Sequence, residues 1–160
     1  SENFPVQGVI DSKQLTPKKR DVLYDKIYDH AVSIGIVIVD AAEIDRINIH
    51  QASLLSMIFS VQNLDPRPDM LLIDGPHRAS LALEQQPIIK GDSKSISIAA
   101  ASIIAKVTRD RLMEQYHQEF PHFGFNKHKG YPTKAHKEAI ATFGCCHIHR
   151  QTFKGVKEFI

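Results

Sequence analysis

Apolar positions at helical spacing alternate along the chain with short β-branched runs. Thr16-Pro17 reads as a helix start, Thr as N-cap and Pro at the first helical position, and Val22, Leu23, Ile27 and Ala31 follow at helical spacing. The seven residues Ser33-Ile34-Gly35-Ile36-Val37-Ile38-Val39, bounded by Asp40, predict a strand. Residues 42–63 return to helical spacing, with a break near Asn48, placed to cap a second helix. Asp65-Pro66-Arg67-Pro68 is a loop, and Met70-Leu71-Leu72-Ile73 is a short strand ending at Asp74-Gly75-Pro76. Pro87-Ile88-Ile89 begins another strand that runs into Lys90-Gly91-Asp92. A long helix is predicted over about 95–118, an irregular aromatic and basic loop from Pro121 to Tyr131, and a helix capped by Thr133 that ends at Phe143-Gly144. The first ten residues read as extended or loop, and the tail from Cys145 has room for a short final helix. Strands alternating with helices make the fold class α/β.

Composition narrows this picture. At 160 residues, 42% hydrophobic and 24% charged, the chain suits one globular domain over 1–160. No apolar run approaches the ~18 residues of a membrane helix. Ser1-Glu2-Asn3-Phe4-Pro5 lacks a basic region followed by an apolar one, so no signal peptide is expected. Cys145 and Cys146 are the only cysteines, which excludes a disulfide scaffold and favours a cytoplasmic location. The net charge of +2 is unevenly spread: residues 127–160 hold 7 Lys+Arg against 2 Asp+Glu, and six of nine histidines fall between His117 and His149. A basic, His-rich end on a mildly acidic body suits a polyanionic partner, or simply a solvated surface helix. Lys18, Lys19 and Arg20 crowd the first turn of a helix, where cations oppose the dipole, so water or an anion is expected beside them.

Asp74 closes a strand, the place where ligands gather in α/β sheets; it suits a metal ligand or base, or a plain Asp-Gly turn. Asp110 is set by helical geometry. At 100° per residue, Ile103 and Val107 lie within about 20° of Ile96, and Asp110 about 40° away, so it continues the apolar stripe. A carboxylate there needs a partner, either Arg or Lys or a bound cation. Small residues at Ala99, Ala100 and Ala101 would let this helix approach a sheet closely and bring Asp110 towards strand ends such as that of Asp74. Two carboxylates without Cys or His at metal spacing suggest a hard cation, Mg²⁺ or Mn²⁺, and phosphoryl chemistry. Phe125-Asn126-Lys127-His128-Lys129-Gly130-Tyr131 interleaves rings and cations, the composition of a nucleic-acid contact or of an ordinary surface loop. Lys13 and Lys90 are weaker phosphate candidates. Cys145-Cys146-His147-Ile148-His149 has no second ligand pair for a four-ligand zinc centre and reads as ordinary small residues after a helix stop.

Taken together, these segments resemble the type 2 ribonucleases H (ribonuclease HII). The matching stretches are Asp11-Ser12-Lys13-Gln14-Leu15, Glu43-Ile44-Asp45-Arg46-Ile47-Asn48, Leu72-Ile73-Asp74-Gly75, Lys90-Gly91-Asp92-Ser93-Lys94, Ala99 through Asp110, His128-Lys129-Gly130-Tyr131 with Thr133 and His136, and Ile148-His149-Arg150 before Phe153. The resemblance implies an RNase H-like mixed sheet flanked by helices. It implies endonucleolytic cleavage of the RNA strand in RNA–DNA hybrids and at single ribonucleotides in duplex DNA. In such enzymes four carboxylates hold divalent metal; Asp74 and Asp110 match the third and fourth. Tyr131 matches the tyrosine that packs on the sugar at the RNA–DNA junction. Lys13, Arg46 and Lys90 match phosphate or local structural contacts, and Lys129 adds a cation beside Tyr131.

One departure accompanies the match. Family members begin with a strand carrying an Asp-Glu pair and a following Gly-Arg-Gly turn, and neither occurs in these 160 residues. The expectation is a domain lacking its first two strands, two of its four carboxylates and the turn that reads the 2′-hydroxyl. Asp11 does not replace them, because it belongs to the Asp-Ser-Lys segment. Such a chain should bind Mg²⁺ weakly. The complete family is expected to be monomeric, and this chain is expected to self-associate through uncovered strand edges. Three functional classes follow: a hybrid-cleaving endonuclease, a remnant that binds nucleic acid without cutting it, and a structural module with no preference for ribonucleotides.

Overall fold

A computed structural model of the chain describes Gly8, Val9 and residues 12–160; Asp11 and most of the expected N-terminal loop lie outside the described residues. The order is a 3₁₀ turn at Ser12–Gln14, α1 (Pro17–His30), α2 (Ala41–Gln62), β1 (Met70–Asp74), β2 (Glu84–Ile88), a 3₁₀ turn at Gly91–Ser93, α3 (Ile96–Glu119), a 3₁₀ turn at Pro121–Phe123, α4 (Phe125–His128), α5 (Lys134–Phe143) and a last 3₁₀ turn at Lys157–Phe159. The class is α/β. The chain divides into two units, one of residues up to Val37 together with Leu54–Val107, the other of Ile38–Ser53 and Thr108–Ile160.

Both expected helix caps form. The Thr16 hydroxyl accepts the Lys19 N–H ahead of Pro17, and Thr133 does the same for His136. The expected break in α2 is also present. Asn48 takes φ 68°, ψ 163°, and its side-chain carbonyl accepts the N–H groups of His50 and Gln51, so it ends one helical stretch and caps the next.

In the first unit, Ala99, Ala100, Ile103, Ile104 and Val107 of α3 form a core with Leu23 and Ile27 of α1, and Ile34 and Ile36 pack on it. Ala99 and Ala100, two of the small residues of α3, are thus buried in a core built with α1. Ser33–Val39 is a correction. It forms no strand among the described residues, and neither β1 nor β2 pairs with it. β-branched composition favours an extended backbone; only ladder hydrogen bonds make a strand. The segment packs instead on α2, where a Cβ at Gly35 would overlap the Ser60 carbonyl.

The sheet of the described residues is one parallel pair, Met70 opposite Glu84 through Asp74 opposite Ile88. Its second strand starts three residues before the expected Pro87. Glu84-Gln85-Gln86 has no strand signature and is recruited by the ladder to β1. The connection, residues 75–83, is short for a parallel pair. Gln85 holds it: its amide donates to the carbonyls of Ala79 and Leu81 and accepts the Ala79 N–H, all within 3.0 Å.

In the basic first turn of α1, Lys18 and Lys19 are exposed. Arg20 is buried, and its Nη1 donates to the carbonyls of Ser12 at 3.0 Å and Leu15 at 2.6 Å. Beside it, the Ser12 and Ser102 hydroxyls bond at 2.8 Å.

In the second unit, Met113, Phe123, Phe125, Ile140 and Val156 form the core. The region expected to be an irregular loop contains a 3₁₀ turn and the short α4, because Phe123 and Phe125 are both buried and a helical turn satisfies the backbone around them. Among the described residues no helix is long and apolar enough to cross a membrane.

Gly35→Ala should lower stability by about 3 kcal/mol or more, since its methyl group would meet backbone that cannot step aside. Urea denaturation checks this. A loss under about 1 kcal/mol would mean that the 33–39 segment shifts freely.

Candidate functional site

In the first unit the site begins at the end of β1. Asp74 is exposed, and its Oδ1 accepts the Gly91 N–H at 2.8 Å. The turn can come this close because residue 91 is glycine: a Cβ there would lie 2.5 Å from Ile98 Cδ1 and 3.4 Å from Asp74 Oδ1. Lys90 precedes it with φ 56°, a left-handed conformation that turns the chain sharply out of β2. Asp92, on the same turn, lies 3.8 Å from the exposed Lys13 ammonium. Asp74, the Lys90–Asp92 turn and Lys13 are thus neighbours through two direct contacts.

In the second unit the organiser is Arg109. Its Nη1 donates to the Lys129 carbonyl at 2.8 Å, and its guanidinium lies 6.0 Å from the centre of the Tyr131 ring. Lys129 is left-handed at φ 50°, and its ammonium reaches the Asp110 carbonyl at 3.5 Å and Glu114 at 3.3 Å. Gly130, at φ 82°, completes the turn; a Cβ on it would sit 3.6 Å from both Arg109 and Met113. The outcome is a Tyr131 side chain that stays 63% exposed on a fastened loop. Asp110, expected to continue the apolar stripe of α3, is half-buried.

Arg46 is committed locally. It forks onto Glu43 at 2.6 and 2.7 Å, and that bond holds the Glu43 carboxyl below its ordinary pKa. Asp45 does something that its sequence neighbourhood did not announce. Its two oxygens accept the Gln151 N–H, the Thr152 N–H and the Thr152 hydroxyl, and so tie the tail to α2. Partial burial would raise the Asp45 pKa, but the Thr152 and Gln151 donors bring it below the usual value. Next to it the Arg150 guanidinium stacks at 3.8 Å on Phe153.

Three histidines lie behind Tyr131. His136 Nδ1 is 2.9 Å from the Tyr131 carbonyl, and its Nε2 is 3.1 Å from His149 Nε2. His149 Nδ1 is 3.0 Å from the Cys146 amide nitrogen and 3.1 Å from the Cys146 sulfur. His128 stacks on His136 with ring centres 4.3 Å apart. Phe123 and Phe125 pack edge-on or tilted against these rings. Burial lowers the His136 pKa, and burial with the neighbouring His136 and His128 lowers that of His149 to about 4. Burial also raises both cysteine thiols, so Cys146 stays protonated beside His149, with Glu119 and Cys145 adding to the effect. Sequence reasoning assigned these histidines no role and missed Arg109. The available signals were the crowding of histidines between 117 and 149 and the three-residue step from Thr133 to His136.

Among the described residues no three His, Cys, Asp or Glu side chains gather as a metal site. Asp74 in the first unit and Asp110 in the second each carry carboxylate oxygens, the donor type preferred by Mg²⁺ or Mn²⁺.

Comparison with known proteins points in one direction. A family model described as Ribonuclease HII matches residues 1–156. Ribonuclease HII of Syntrophus aciditrophicus is 51% identical over 146 residues, covering 91% of this chain and 69% of that protein. The ribonuclease HII of Leuconostoc mesenteroides is 52% identical over 158 residues, covering 99% and 62%. That of Geobacter sulfurreducens is 54% identical over 153 residues, covering 96% and 70%. The chain therefore spans 62 to 70% of the length of these relatives. The crystal structure of ribonuclease H2 from Pyrococcus horikoshii superposes with a TM-score of 0.80 at 27% identity, covering 95% of this chain and 80% of that one.

The buried histidines set a pH dependence. The unfolded chain takes up a proton on His149 near pH 6.5, whereas the folded one resists until about 4. Stability should thus be level above pH 7 and fall between pH 6.5 and 4, by up to about 1.4 kcal/mol per pH unit for each such histidine. Urea melts at pH 7.5, 6 and 5 check this, with His149→Phe showing the flatter profile. A wild-type profile without slope over that range would mean that the pair is not neutral in the fold.

Proposed function

The chain belongs to the ribonuclease HII family, and from that premise we propose that it acts on RNA–DNA hybrids and on single ribonucleotides in duplex DNA. The reaction is hydrolysis of a phosphodiester in the RNA strand, as in the removal of ribonucleotides during DNA replication and repair in the cytoplasm. The observation that carries this reading is the Tyr131 loop. Its aromatic ring is held from behind by Arg109 and presented to solvent beside Lys129, one helical position from Asp110. An exposed hydrophobic ring needs a reason to be fastened in place, and stacking on a sugar or base supplies one.

Within this reading the roles follow from the surroundings. Tyr131 packs on the sugar at the junction. Lys129 offers a cation to the phosphate backbone, as do Lys90 on the turn beside Asp74 and Lys13, which reaches Asp92 of that turn. Arg46, already forked onto Glu43, acts on phosphate only by sharing that carboxylate. Asp74 and Asp110 are catalytic carboxylates that would hold Mg²⁺ or Mn²⁺. The ion would neutralise charge at the scissile phosphate and make a bound water more acidic. Asp74 is suited to this because the Gly91 N–H fixes one oxygen and the residue remains exposed.

The test is cleavage and binding of a labelled DNA duplex carrying one ribonucleotide, with Mg²⁺ and then Mn²⁺. Asp74→Asn and Asp110→Asn should each cut turnover about 10²-fold or more, a loss near 3 kcal/mol of transition-state stabilisation, with binding largely retained. Tyr131→Ala should mainly reduce the preference for the ribonucleotide-containing duplex over plain DNA. Binding should weaken steeply with salt. Salt-sensitive binding without cleavage would identify a module that holds hybrids and does not cut them. No preference for the ribonucleotide would remove nucleic-acid junction recognition altogether.

A further inference from the structure

The three histidines behind Tyr131 bond to groups whose own chemistry fixes where each proton sits. The Tyr131 carbonyl can only accept, so His136 Nδ1 at 2.9 Å carries a proton. His136 is then left with an accepting Nε2, as long as it is neutral. His149 Nε2, 3.1 Å away, must donate to it. That leaves His149 Nδ1 bare, and it faces the Cys146 N–H at 3.0 Å, a group that can only donate. The Cys146 carbonyl, 3.3 Å from the same nitrogen, accepts the His149 N–H at 3.0 Å and has a lone pair left, but the one ring proton of a neutral His149 is already placed on Nε2 by the contact with His136. A second chain starts on His128. Its Nε2 donates to the Phe123 carbonyl at 2.7 Å, and its bare Nδ1 accepts the Gly130 N–H at 3.2 Å.

The bonds made by the two buried rings all run in one sense. A proton added to His136 would set two N–H groups against each other across the His136–His149 contact, and one added to His149 Nδ1 would set a ring N–H against the Cys146 N–H. The rings are 3% and 5% exposed, so water is not available to resolve the conflict. The groups that face them are His128, the Cys146 thiol and the rings of Phe123 and Phe125, with Glu119 and Cys145 acting on Cys146. None of these supplies a charge that would stabilise an imidazolium directly.

We propose that His136 and His149 are positioning residues for Tyr131: a one-way relay of neutral imidazoles, running from the Cys146 amide to the Tyr131 carbonyl, that fixes the backbone from which the ring is presented. The relay ends on Tyr131 itself. The same carbonyl accepts the Thr133 N–H at 2.8 Å, and the Tyr131 N–H donates to the His128 carbonyl at 2.9 Å, so the peptide units on both sides of Tyr131 are held. Gly155 lets the relay's neighbour Pro132 pack tightly, since a Cβ there would lie 2.9 Å from the proline ring. His136 touches no substrate and acts only through Tyr131. The link from positioning to junction recognition rests on the function proposed above; the proton arrangement and the fastening of the loop do not.

The experiment has two arms on the full chain. Long-range ¹H–¹⁵N NMR of the histidine rings at pH 7 should show His136 protonated at Nδ1 and His149 and His128 at Nε2, all neutral. An Nε2-protonated His136, an Nδ1-protonated His149 or a charged ring in this pair would overturn the relay. The second arm compares His136→Phe, which removes the donor to Tyr131, with His136→Asn, whose amide nitrogen replaces Nδ1. His136→Phe should lower amide-exchange protection at Tyr131 and Thr133, and the preference for a ribonucleotide-containing duplex, each by up to about tenfold. His136→Asn should restore most of both. Unchanged protection in His136→Phe would overturn the proposal, as would an Asn variant no better than Phe. If His136→Phe does not fold, loss of protection in the folded Asn variant overturns it in the same way. A wild type without ribonucleotide preference would refute the proposed function, while the ring tautomers and amide protection still decide the relay.

Discussion

A carbonyl that leaves a helix or strand and stays away from water must find a donor, and in this chain side chains supply it. Arg20 closes the turn before α1 through the carbonyls of Ser12 and Leu15. Arg109 holds the carbonyl of Lys129, His136 that of Tyr131 and His128 that of Phe123. Gln85 does the same for the connection between the strands. Each bond is worth about 1 kcal/mol net, but leaving a buried carbonyl without a donor costs more than the bond contributes. The loops that carry the candidate chemistry are rigid for this reason, although little regular secondary structure runs through them.

This constraint also sorts the cations. Arg20 looked like a charge at the wrong end of a helix, and it is a structural clamp. Arg46, expected on phosphate or in a local structural contact, forks onto Glu43. Arg109 carried no motif signal of its own, yet it organises Lys129, Gly130 and Tyr131. Lys129 is shared between a carbonyl and Glu114, and its ammonium remains near the surface. Composition supplied a basic end; the bonding geometry decides which charges remain available to a polyanion.

Acidic groups divide similarly. Asp45 and Asp74 both accept backbone N–H groups. Asp45 takes three donors and is used up as a tie for the tail. Asp74 takes one from Gly91 and stays exposed, which leaves it able to serve a ligand. The difference is invisible in the dipeptides Ile44-Asp45 and Ile73-Asp74, both of which place an aspartate after an isoleucine.

Local chemistry was legible from the chain alone. Thr16-Pro17, Asn48 and Thr133 act on amides two or three residues away, so their caps could be read directly, and the long helix 96–119 followed from its spacing. Family membership was equally legible, because ordered motifs from Asp11 to Phe153 do not depend on knowing the fold. What tertiary structure decided involves partners distant in sequence. Whether Ser33–Val39 becomes a strand depends on a ladder, and Glu84-Gln85-Gln86 becomes one because β1 lies beside it. Asp45 meets Thr152, and His136 meets His149, across loops that no local pattern encodes. Proton positions on the histidines are the extreme case: residue type offers two tautomers, and only the carbonyl on one side and the amide on the other select between them.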